Sequence, residues 1–128
     1  MRILLDTCTF LWIAAQAERL SDTALALFRD PANEVFLSSA SAWEIVVKST
    51  LGRLHLPEPP DAYVPRLRGR HQIRPLPLDE ASALHLLRLP ALHRDPFDRM
   101  LVCQAIVHGM TLLTPDVAIT QYPANTKW

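Results

Sequence analysis

The sequence predicts an α/β protein built around a parallel sheet. Short apolar runs bounded by turn residues recur along the chain, and segments with helical features lie between them. Strands that alternate with helices favour a parallel sheet, because each helix can serve as the crossover to the next strand. Hydrophobic residues make up 49% of the chain and charged residues 20%, which indicates a folded globular protein. We expect a single domain over residues 1–128, since this length is that of one ordinary domain.

The first half of the chain contains two predicted strands and three predicted helices. In order, they are a strand at 2–6, helices at 8–16 and 22–30, a strand at 34–38 and a helix at 41–51. Pro31 and Asn33 end the second helix, because proline lacks the amide that a helix requires. Gly52 follows the third helix at the position where glycine commonly closes one.

The second half begins with a proline-rich extended connection at 54–60. It is followed by a helix at 61–70, a strand at 73–76, helices at 79–89 and 95–108, a strand at 110–114, a short helix at 115–120 and an edge strand at 126–128. Pro65 weakens the case for the first of these helices. Ala81, Leu84 and Leu87 recur at helical spacing in the second, and Gly109 ends the third.

Net charge and cysteine content narrow the classes of function. The formal net charge is +0, so bulk charge gives no support for nucleic-acid binding, and any basic surface must be local. Cys8 and Cys103 form no CxxC motif and are expected to be reduced thiols. The N-terminus lacks the features of a secretory signal, and no stretch has the length of a membrane span. We therefore expect a soluble cytoplasmic protein.

Four carboxylates lie at the ends of apolar runs. Asp6 follows the first strand, Glu44 follows the second after a turn of small residues, and Asp116 follows the 110–114 run. Asp98 lies in the first turn of the 95–108 helix, from which it can reach the same sheet edge. Like charges held together raise each other's pKa unless a cation lies between them. Oxygen ligands in this number suit Mg²⁺ or Mn²⁺, which points to a metal-dependent enzyme acting on phosphates.

Each acid also has an ordinary structural role open to it. Ser41 and Glu44 have the spacing of a capping box, in which Glu44 would reach back to the Ser41 amide. The other acids have the type or position of an N-cap or a first-turn acid: Asp6, Asp95, Asp98 and Asp116. These roles explain the acids one at a time, but they do not explain why the set converges on one edge.

Four segments carry a family resemblance. They are Leu4-Leu5-Asp6-Thr7, Ser38-Ser39-Ala40-Ser41-Ala42-Trp43-Glu44-Ile45, His93-Arg94-Asp95-Pro96-Phe97-Asp98-Arg99 and Leu113-Thr114-Pro115-Asp116. In order and spacing they resemble the PIN-domain ribonucleases, most closely the VapC-type toxins of bacterial toxin–antitoxin pairs. The resemblance covers nearly the whole chain, and the terminal Trp128 is also typical. It implies a PIN-like three-layer α/β/α sandwich with a central, mainly parallel sheet.

The resemblance also implies an activity, a cofactor and partners. The activity is that of a metal-dependent endoribonuclease, which hydrolyses RNA phosphodiester bonds with Mg²⁺ or, as a substitute, Mn²⁺. The expected state is a homodimer that is held inactive by a VapB-type antitoxin, which inserts a peptide toward the acidic site. Apolar residues of the first helix are expected to form the groove for that peptide or part of the dimer contact: Phe10, Leu11, Trp12 and Ile13.

Residue by residue, the family's functional positions can be carried over by motif. The catalytic and metal-binding acids fall on Asp6, Glu44, Asp98 and Asp116. Positions that support the site or bind substrate fall on Thr7, Asp95, Arg99 and Thr114. The two threonines are the small hydroxyls beside the acids, and Asp95 is a helix cap or a neighbour of the metal ligands. Arg99 is the first candidate for contact with an RNA phosphate.

Other residues receive less specific roles. Arg94 and Lys48 are further candidates for phosphate contact, and the alternative role for Arg94 and Arg99 is to pair with the acids. Cys8 stands where many relatives carry histidine, and this departure lies outside the core acids. The five histidines show no metal-ligand spacing and are expected to be surface or packing residues. Trp12 and Trp43 are expected in the core or in an interface.

One alternative from another class remains open, namely a catalytically inert PIN fold that binds RNA or protein without cutting it. Other folds that collect acids at a sheet edge fit less well. Asp6 stands alone, without the acidic pair of a receiver domain or the Asp-x-Asp of a haloacid-dehalogenase-type phosphatase. Three glycines supply no phosphate-binding loop. Metal-dependent cleavage would separate the nuclease from the inert module.

Overall fold

A five-stranded parallel sheet forms the centre of the molecule. The computed structural model describes every residue from Met1 to Trp128. The strands are Arg2–Leu5 (β1), Glu34–Ser38 (β2), Arg74–Leu76 (β3), Thr111–Leu113 (β4) and Thr126–Lys127 (β5). Their order across the sheet is β3-β2-β1-β4-β5, and every neighbouring pair is parallel. The predicted α/β class with a parallel sheet is confirmed, and β1 is its central strand.

Helices form the connections between most of these strands. The α-helices are Thr7–Ala15 (α1), Asp22–Arg29 (α2), Ser39–Thr50 (α3), Pro60–Arg70 (α4), Glu80–Leu84 (α5), Pro96–His108 (α6) and Val117–Thr120 (α7). Two short 3-10 helices lie at Ala17–Arg19 and His85–Arg88. None of these helices combines the length and the apolar character that crossing a bilayer requires.

The hydrophobic core lies in two parts, one on each face of the sheet. Successive side chains of a strand point to opposite faces, and in β1 Ile3 and Leu5 join one cluster while Leu4 joins the other. The first cluster contains buried residues of α1, α2, α3 and α4, including Phe10 and Ile45. The second contains buried residues of α6 and α7. Both faces of the sheet are therefore covered, as in a three-layer sandwich.

Three helices begin or run differently from the prediction. α3 begins two residues before the expected Ser41, because the Ser38 side chain accepts a hydrogen bond from the Ala40 amide and caps the helix. α4 continues through Pro65, and buried Val64 and Leu67 hold it against the core despite the lost backbone hydrogen bond. α7 begins at Val117 rather than at residue 115, with Asp116 as its N-cap.

The predicted helix at 79–89 is only partly α-helical. α5 ends at Leu84 and the chain continues as the 3-10 helix His85–Arg88. Leu84 is 59% exposed and Leu87 is 89% exposed, so the apolar spacing in this segment does not mark a core-facing stripe. The segment instead packs through buried Ser82 and Leu89.

Candidate metal centre

Acids from separate parts of the chain line one small cavity, which we call the acidic cavity. Its volume is about 170 Å³, and its lining residues are Asp6, Thr7, Cys8, Glu44, Lys48, Asp95, Asp98 and Asp116. Asp6 follows the central strand β1, and Asp116 follows the neighbouring strand β4. α3 supplies Glu44, and the start of α6 supplies Asp95 and Asp98. The structure thus places all four predicted acids, together with Asp95, around one cavity.

Asp6 is buried and held by three side-chain contacts. One carboxylate oxygen accepts a hydrogen bond from the Thr9 amide at 2.8 Å, which caps α1. The same oxygen lies 3.3 Å from the Cys8 sulfur, which donates to it. The other oxygen accepts a hydrogen bond from the Thr114 hydroxyl. The capping role predicted for Asp6 is therefore present, and it coexists with a place in the acidic cavity.

Glu44 is also buried, and its contacts differ from the predicted capping box. Its carboxylate accepts a hydrogen bond from the Thr7 hydroxyl at 2.6 Å and forms an ion pair with Lys48, one turn along α3. Ser41 lies 3.0 Å from the same Thr7 hydroxyl. The capping-box interpretation was wrong, because α3 is capped by Ser38 and Glu44 lies in its second turn. Thr7 instead connects Glu44 to the start of α1.

The start of α6 sets two acids beside each other. Asp95 caps the helix, and its side chain accepts hydrogen bonds from the Phe97 amide at 2.9 Å and the Asp98 amide at 3.0 Å. The pKa of Asp98 is raised to about 6, and burial is the largest cause. The hydrogen bond with His93 lowers this pKa, whereas the negative charges of Asp95, Glu44 and Asp116 raise it further. This carboxyl group is thus destabilised in its ionised form.

Thr114 joins the two acids that follow the central strands. Its hydroxyl donates to Asp6 and accepts a hydrogen bond from the Asp116 amide at 3.1 Å. Asp116 in turn accepts a hydrogen bond from the Ala118 amide at 2.9 Å, which caps α7. Thr114 is 1% exposed, so it acts from beneath the cavity rather than lining it. Its predicted place beside the acids agrees with this geometry.

Basic residues are unevenly placed around the acids. Lys48 lines the acidic cavity, and although burial alone would lower its pKa, the hydrogen bond and charge of Glu44 raise it above the usual value. Arg99 does not line the cavity, and its buried Nε atom has no hydrogen-bond partner. Neither Arg99 nor Arg94 forms an ion pair with a carboxylate. The interpretation that these arginines pair with the acids was wrong. Phosphate contact by Arg99 stays a prediction.

The sequence interpretation missed His93. Its Nε2 atom lies 3.0 Å from an oxygen of Asp98, and the ligand atoms of His93, Asp98 and Asp116 all lie within 4.8 Å of one another. No regular spacing in the sequence indicates it, because His93 lies in the connection before α6, Asp98 lies in the first turn of α6 and Asp116 lies just before α7. The only sequence signal was its place at the head of the His93-to-Arg99 motif.

Trp43 and Cys8 lie close to the acids, Trp43 beside Glu44 in α3 and Cys8 in the lining of the acidic cavity. Trp43 was expected in the core or an interface, and its exposed fraction of 59% places it outside the core. It meets the Phe97 ring edge-on, with ring centroids 5.0 Å apart, and its place in an interface stays a prediction. Cys8 is only partly buried, and burial together with the charge of Asp6 raises the pKa of its thiol. A protonated thiol beside Asp6 is a hydrogen-bond donor and not a nucleophile.

The acidic cavity carries more negative charge than its own cations offset. Its lining contains five carboxylates and one lysine. Carboxylate oxygens are the ligands that Mg²⁺ and Mn²⁺ prefer, and four of the five acids lie at helix starts, whose dipoles attract negative charge. The raised pKa of Asp98 shows that the protein alone does not stabilise the full set of charges. The donor set therefore fits a divalent cation.

The sequence matches the family model of the PIN domain over residues 3–125. The chain belongs to the PIN-domain family. Among solved structures, VapBC2 from Rickettsia felis, determined with a DNA fragment from their promoter, resembles this PIN domain with a TM-score of 0.74. The identity is 15%, and the alignment covers 100% of this chain and 99% of that one. FitAcB from Neisseria gonorrhoeae gives a TM-score of 0.62 at 20% identity, covering 97% and 95% of the two chains. At such identities the likeness concerns the fold.

A relative with higher sequence identity is Ribonuclease VapC16 of Mycobacterium tuberculosis (strain ATCC 25618 / H37Rv). It is 41% identical to this PIN domain over 69 residues, which make up 54% of this chain and 48% of that protein. The match thus spans about half the length of this curated relative. The predicted PIN-like fold is confirmed by these comparisons.

Proposed function

We propose that this PIN domain is a metal-dependent endoribonuclease, the VapC-type toxin of a toxin–antitoxin pair. The observation that carries the proposal is the convergence of Asp6, Glu44, Asp98 and Asp116 on the acidic cavity. The partial similarity to Ribonuclease VapC16 supports ribonuclease activity. We take Mg²⁺ as the cofactor, with Mn²⁺ as a substitute, because the lining oxygens suit both ions.

The proposed roles of the residues follow from their contacts. Asp6, Asp98 and Asp116 would bind the divalent ion, and Glu44 would bind a second ion or orient the attacking water. When bound, the ion polarises the phosphate and lowers the pKa of a coordinated water. Thr7 and Thr114 hold the carboxylates in fixed orientations through their hydroxyls. Lys48 places a positive charge at the cavity, where an RNA phosphate would bind.

The cleavage test uses purified protein, free of antitoxin, and total cellular RNA. We expect discrete fragments that require Mg²⁺ or Mn²⁺ and disappear in Asp98→Asn. Asp61→Asn is the matched control, because Asp61 is an exposed acid in the first turn of α4, away from the cavity. RNA binding without cleavage under either metal would contradict the proposal and support the inert module.

The partner of the proposed toxin would be a VapB-type antitoxin. A groove of about 290 Å³ beside α1 is lined by ten residues, among them Leu11, Trp12, Leu56 and Tyr63. Phe10 and Ile13, which the sequence suggested for such a groove, are buried in the core and cannot line it. Trp12→Ala should weaken antitoxin binding at least tenfold, the scale of an aromatic anchor, while metal-dependent cleavage continues. Unchanged affinity, measured by calorimetry, would argue against this groove.

We also propose that the protein acts as a single-domain homodimer in the cytoplasm. Light scattering after size exclusion should then give twice the 14.4 kDa of one chain. A monomeric mass at micromolar concentration would contradict the dimer, and it would leave the proposed chemistry unaffected because all predicted acids come from one chain.

A further inference from the structure

We propose that His93 is itself a ligand of the divalent ion and that it shifts the metal preference of this site from Mg²⁺ toward Mn²⁺. The inference rests on the proposed metal-dependent function and adds a nitrogen donor to a site that the motifs describe with carboxylates alone. It concerns a residue of this chain that the sequence pattern had assigned to the surface or to packing.

The first support is the geometry around His93. Its Nε2 atom is 3.0 Å from an Asp98 oxygen, and an Asp116 oxygen completes a set of three ligand atoms within 4.8 Å of one another. Two ligands on opposite sides of one ion are roughly 4 Å apart, given bond lengths of about 2.1 Å. Side-chain adjustments of well under an ångström would therefore let all three bind one ion.

The second support is that the structure holds His93 in place from two directions. The Tyr122 hydroxyl lies 3.5 Å from the His93 carbonyl oxygen, to which it donates, and Tyr122 is 3% exposed. The imidazole is 27% exposed and its Nε2 faces Asp98. The ring is thus partly withdrawn from solvent while the segment before α6 is fixed by a buried tyrosine.

The third support comes from comparison with the other histidines. His108 pairs with Asp79, and His71 lies against the Phe28 ring. His55 and His85 contact no carboxylate within ion-pair distance. His93 is therefore the one imidazole that this fold brings to the acids of the proposed metal site.

The chemistry of imidazole gives the direction of the effect. Mg²⁺ binds oxygen donors and keeps much of its water, whereas imidazole nitrogen suits first-row transition ions. A mixed donor set of one nitrogen and several carboxylate oxygens therefore raises the affinity for Mn²⁺ more than the affinity for Mg²⁺. Removal of the nitrogen donor should return the site to the selectivity of carboxylates alone.

The test measures the bound metal without RNA. Pulsed electron paramagnetic resonance of Mn²⁺ on the wild-type protein should show coupling to a directly bound nitrogen, and His93→Gln should lose it. In calorimetric competition, the affinity ratio of Mn²⁺ to Mg²⁺ should fall about tenfold in His93→Gln, within the range that altered metal-site neighbours produce. His85→Gln is the matched control and should leave both readings unchanged.

The wild-type spectrum decides the inference even if a variant folds poorly. Bound Mn²⁺ without nitrogen coupling would overturn it and would show that His93 only orients Asp98. An unchanged affinity ratio in a folded His93→Gln protein would overturn it as well. Because RNA is absent, nitrogen coupling without RNA cleavage would uphold the ligand role while contradicting the proposed nuclease. RNA cleavage by a protein whose bound Mn²⁺ shows no nitrogen coupling would support the proposed nuclease and contradict the ligand role of His93.

Discussion

At Asp98, opposing physical effects act on one carboxyl group. Burial raises its pKa, the contact with His93 lowers it, and neighbouring acids raise it further, so that the pKa reaches about 6 from an ordinary 3.8. Between these two values the folded protein binds more protons at this site than the unfolded chain. The free energy of unfolding therefore falls as pH rises from about 4 to about 6. Without metal, the site destabilises the fold at neutral pH.

Asp98→Asn should consequently stabilise the metal-free protein at pH 7. A pKa difference of this size corresponds to about 2–3 kcal/mol, since one pKa unit is about 1.4 kcal/mol. The gain over wild type should largely disappear at pH 4, where the wild-type carboxyl is protonated in the folded state. Urea unfolding in the presence of chelator measures the free energy of unfolding of wild type and variant at pH 7 and at pH 4. The control is Glu18→Gln, at an exposed carboxylate, which should show no such pH-dependent difference. A gain in stability of Asp98→Asn that is equal at pH 7 and pH 4 would contradict this explanation.

Thr114 offers a second prediction for a single side chain. Thr114→Val keeps the shape but removes the hydroxyl that contacts both Asp6 and the Asp116 amide. We expect a loss of about 1–3 kcal/mol in stability, because buried partners are left without hydrogen bonds. The affinity for Mn²⁺ should fall at least tenfold, as for other groups that orient metal ligands. Thermal unfolding and calorimetry measure these effects.

Thr111→Val is the control for that substitution. Thr111 lies in the same strand, and its side-chain hydroxyl makes no hydrogen bond within the protein. Nearly equal losses in the two variants would show that β-strand composition, rather than the contact with the acids, determines the result.

At the scale of the helix and strand, local signals predicted the existence of elements better than their ends. The segment before Glu44 contains three serines, each of a suitable type for an N-cap. The structure selects Ser38, whose hydroxyl also contacts the distant Gln104. That contact joins residues 66 positions apart, so no local pattern could reveal it. The capping box assigned to Glu44 failed for this reason.

The site shows the same division between local and distant information. Asp6 and Asp116 could be predicted, because Asp6 directly follows β1, Asp116 follows β4 after two residues, and each caps the next helix. Asp98 could be placed through its motif at the start of α6. His93 could not, since its significance depends on where the chain before α6 folds back against Asp98. The exposure of Leu87 could not be predicted from the sequence either, because helical spacing does not say which face of a helix packs against the core.

The helix ends provide a prediction of their own. Gly109 closes α6 with a φ of 63°, a left-handed conformation that a side chain disfavours. Gly109→Ala should therefore lower the free energy of unfolding by about 1 kcal/mol. Gly69→Ala, within α4 and with open space around its Cα, should instead raise it by about 0.5–1 kcal/mol. Opposite signs in urea unfolding are expected, and a loss in both would contradict this account of the two glycines.

At the scale of the whole molecule, the proposed metal site would link folding to metal binding. A metal that binds only the folded state stabilises it by about 2.7 kcal/mol at a concentration one hundred times its dissociation constant. Saturating Mn²⁺ should raise the melting temperature of the wild-type protein, and chelator should reverse this. Asp6→Asn should reduce the shift strongly. The same shift with NaCl of equal ionic strength would show that screening, not binding, relieves the repulsion among the acids.

The position of β1 in the sheet has a consequence for the order in which the site can form. The first strand of the chain is the central one, and its partner β4 is Thr111–Leu113. One carboxylate oxygen of Asp6 accepts a hydrogen bond from Thr114, 108 residues later. A chain still emerging from the ribosome therefore carries Asp6 long before the residues that complete the cavity exist. If the protein is the proposed nuclease, it cannot become active before β4 has been synthesised, and an incomplete product that ends before β4 should be inert toward RNA.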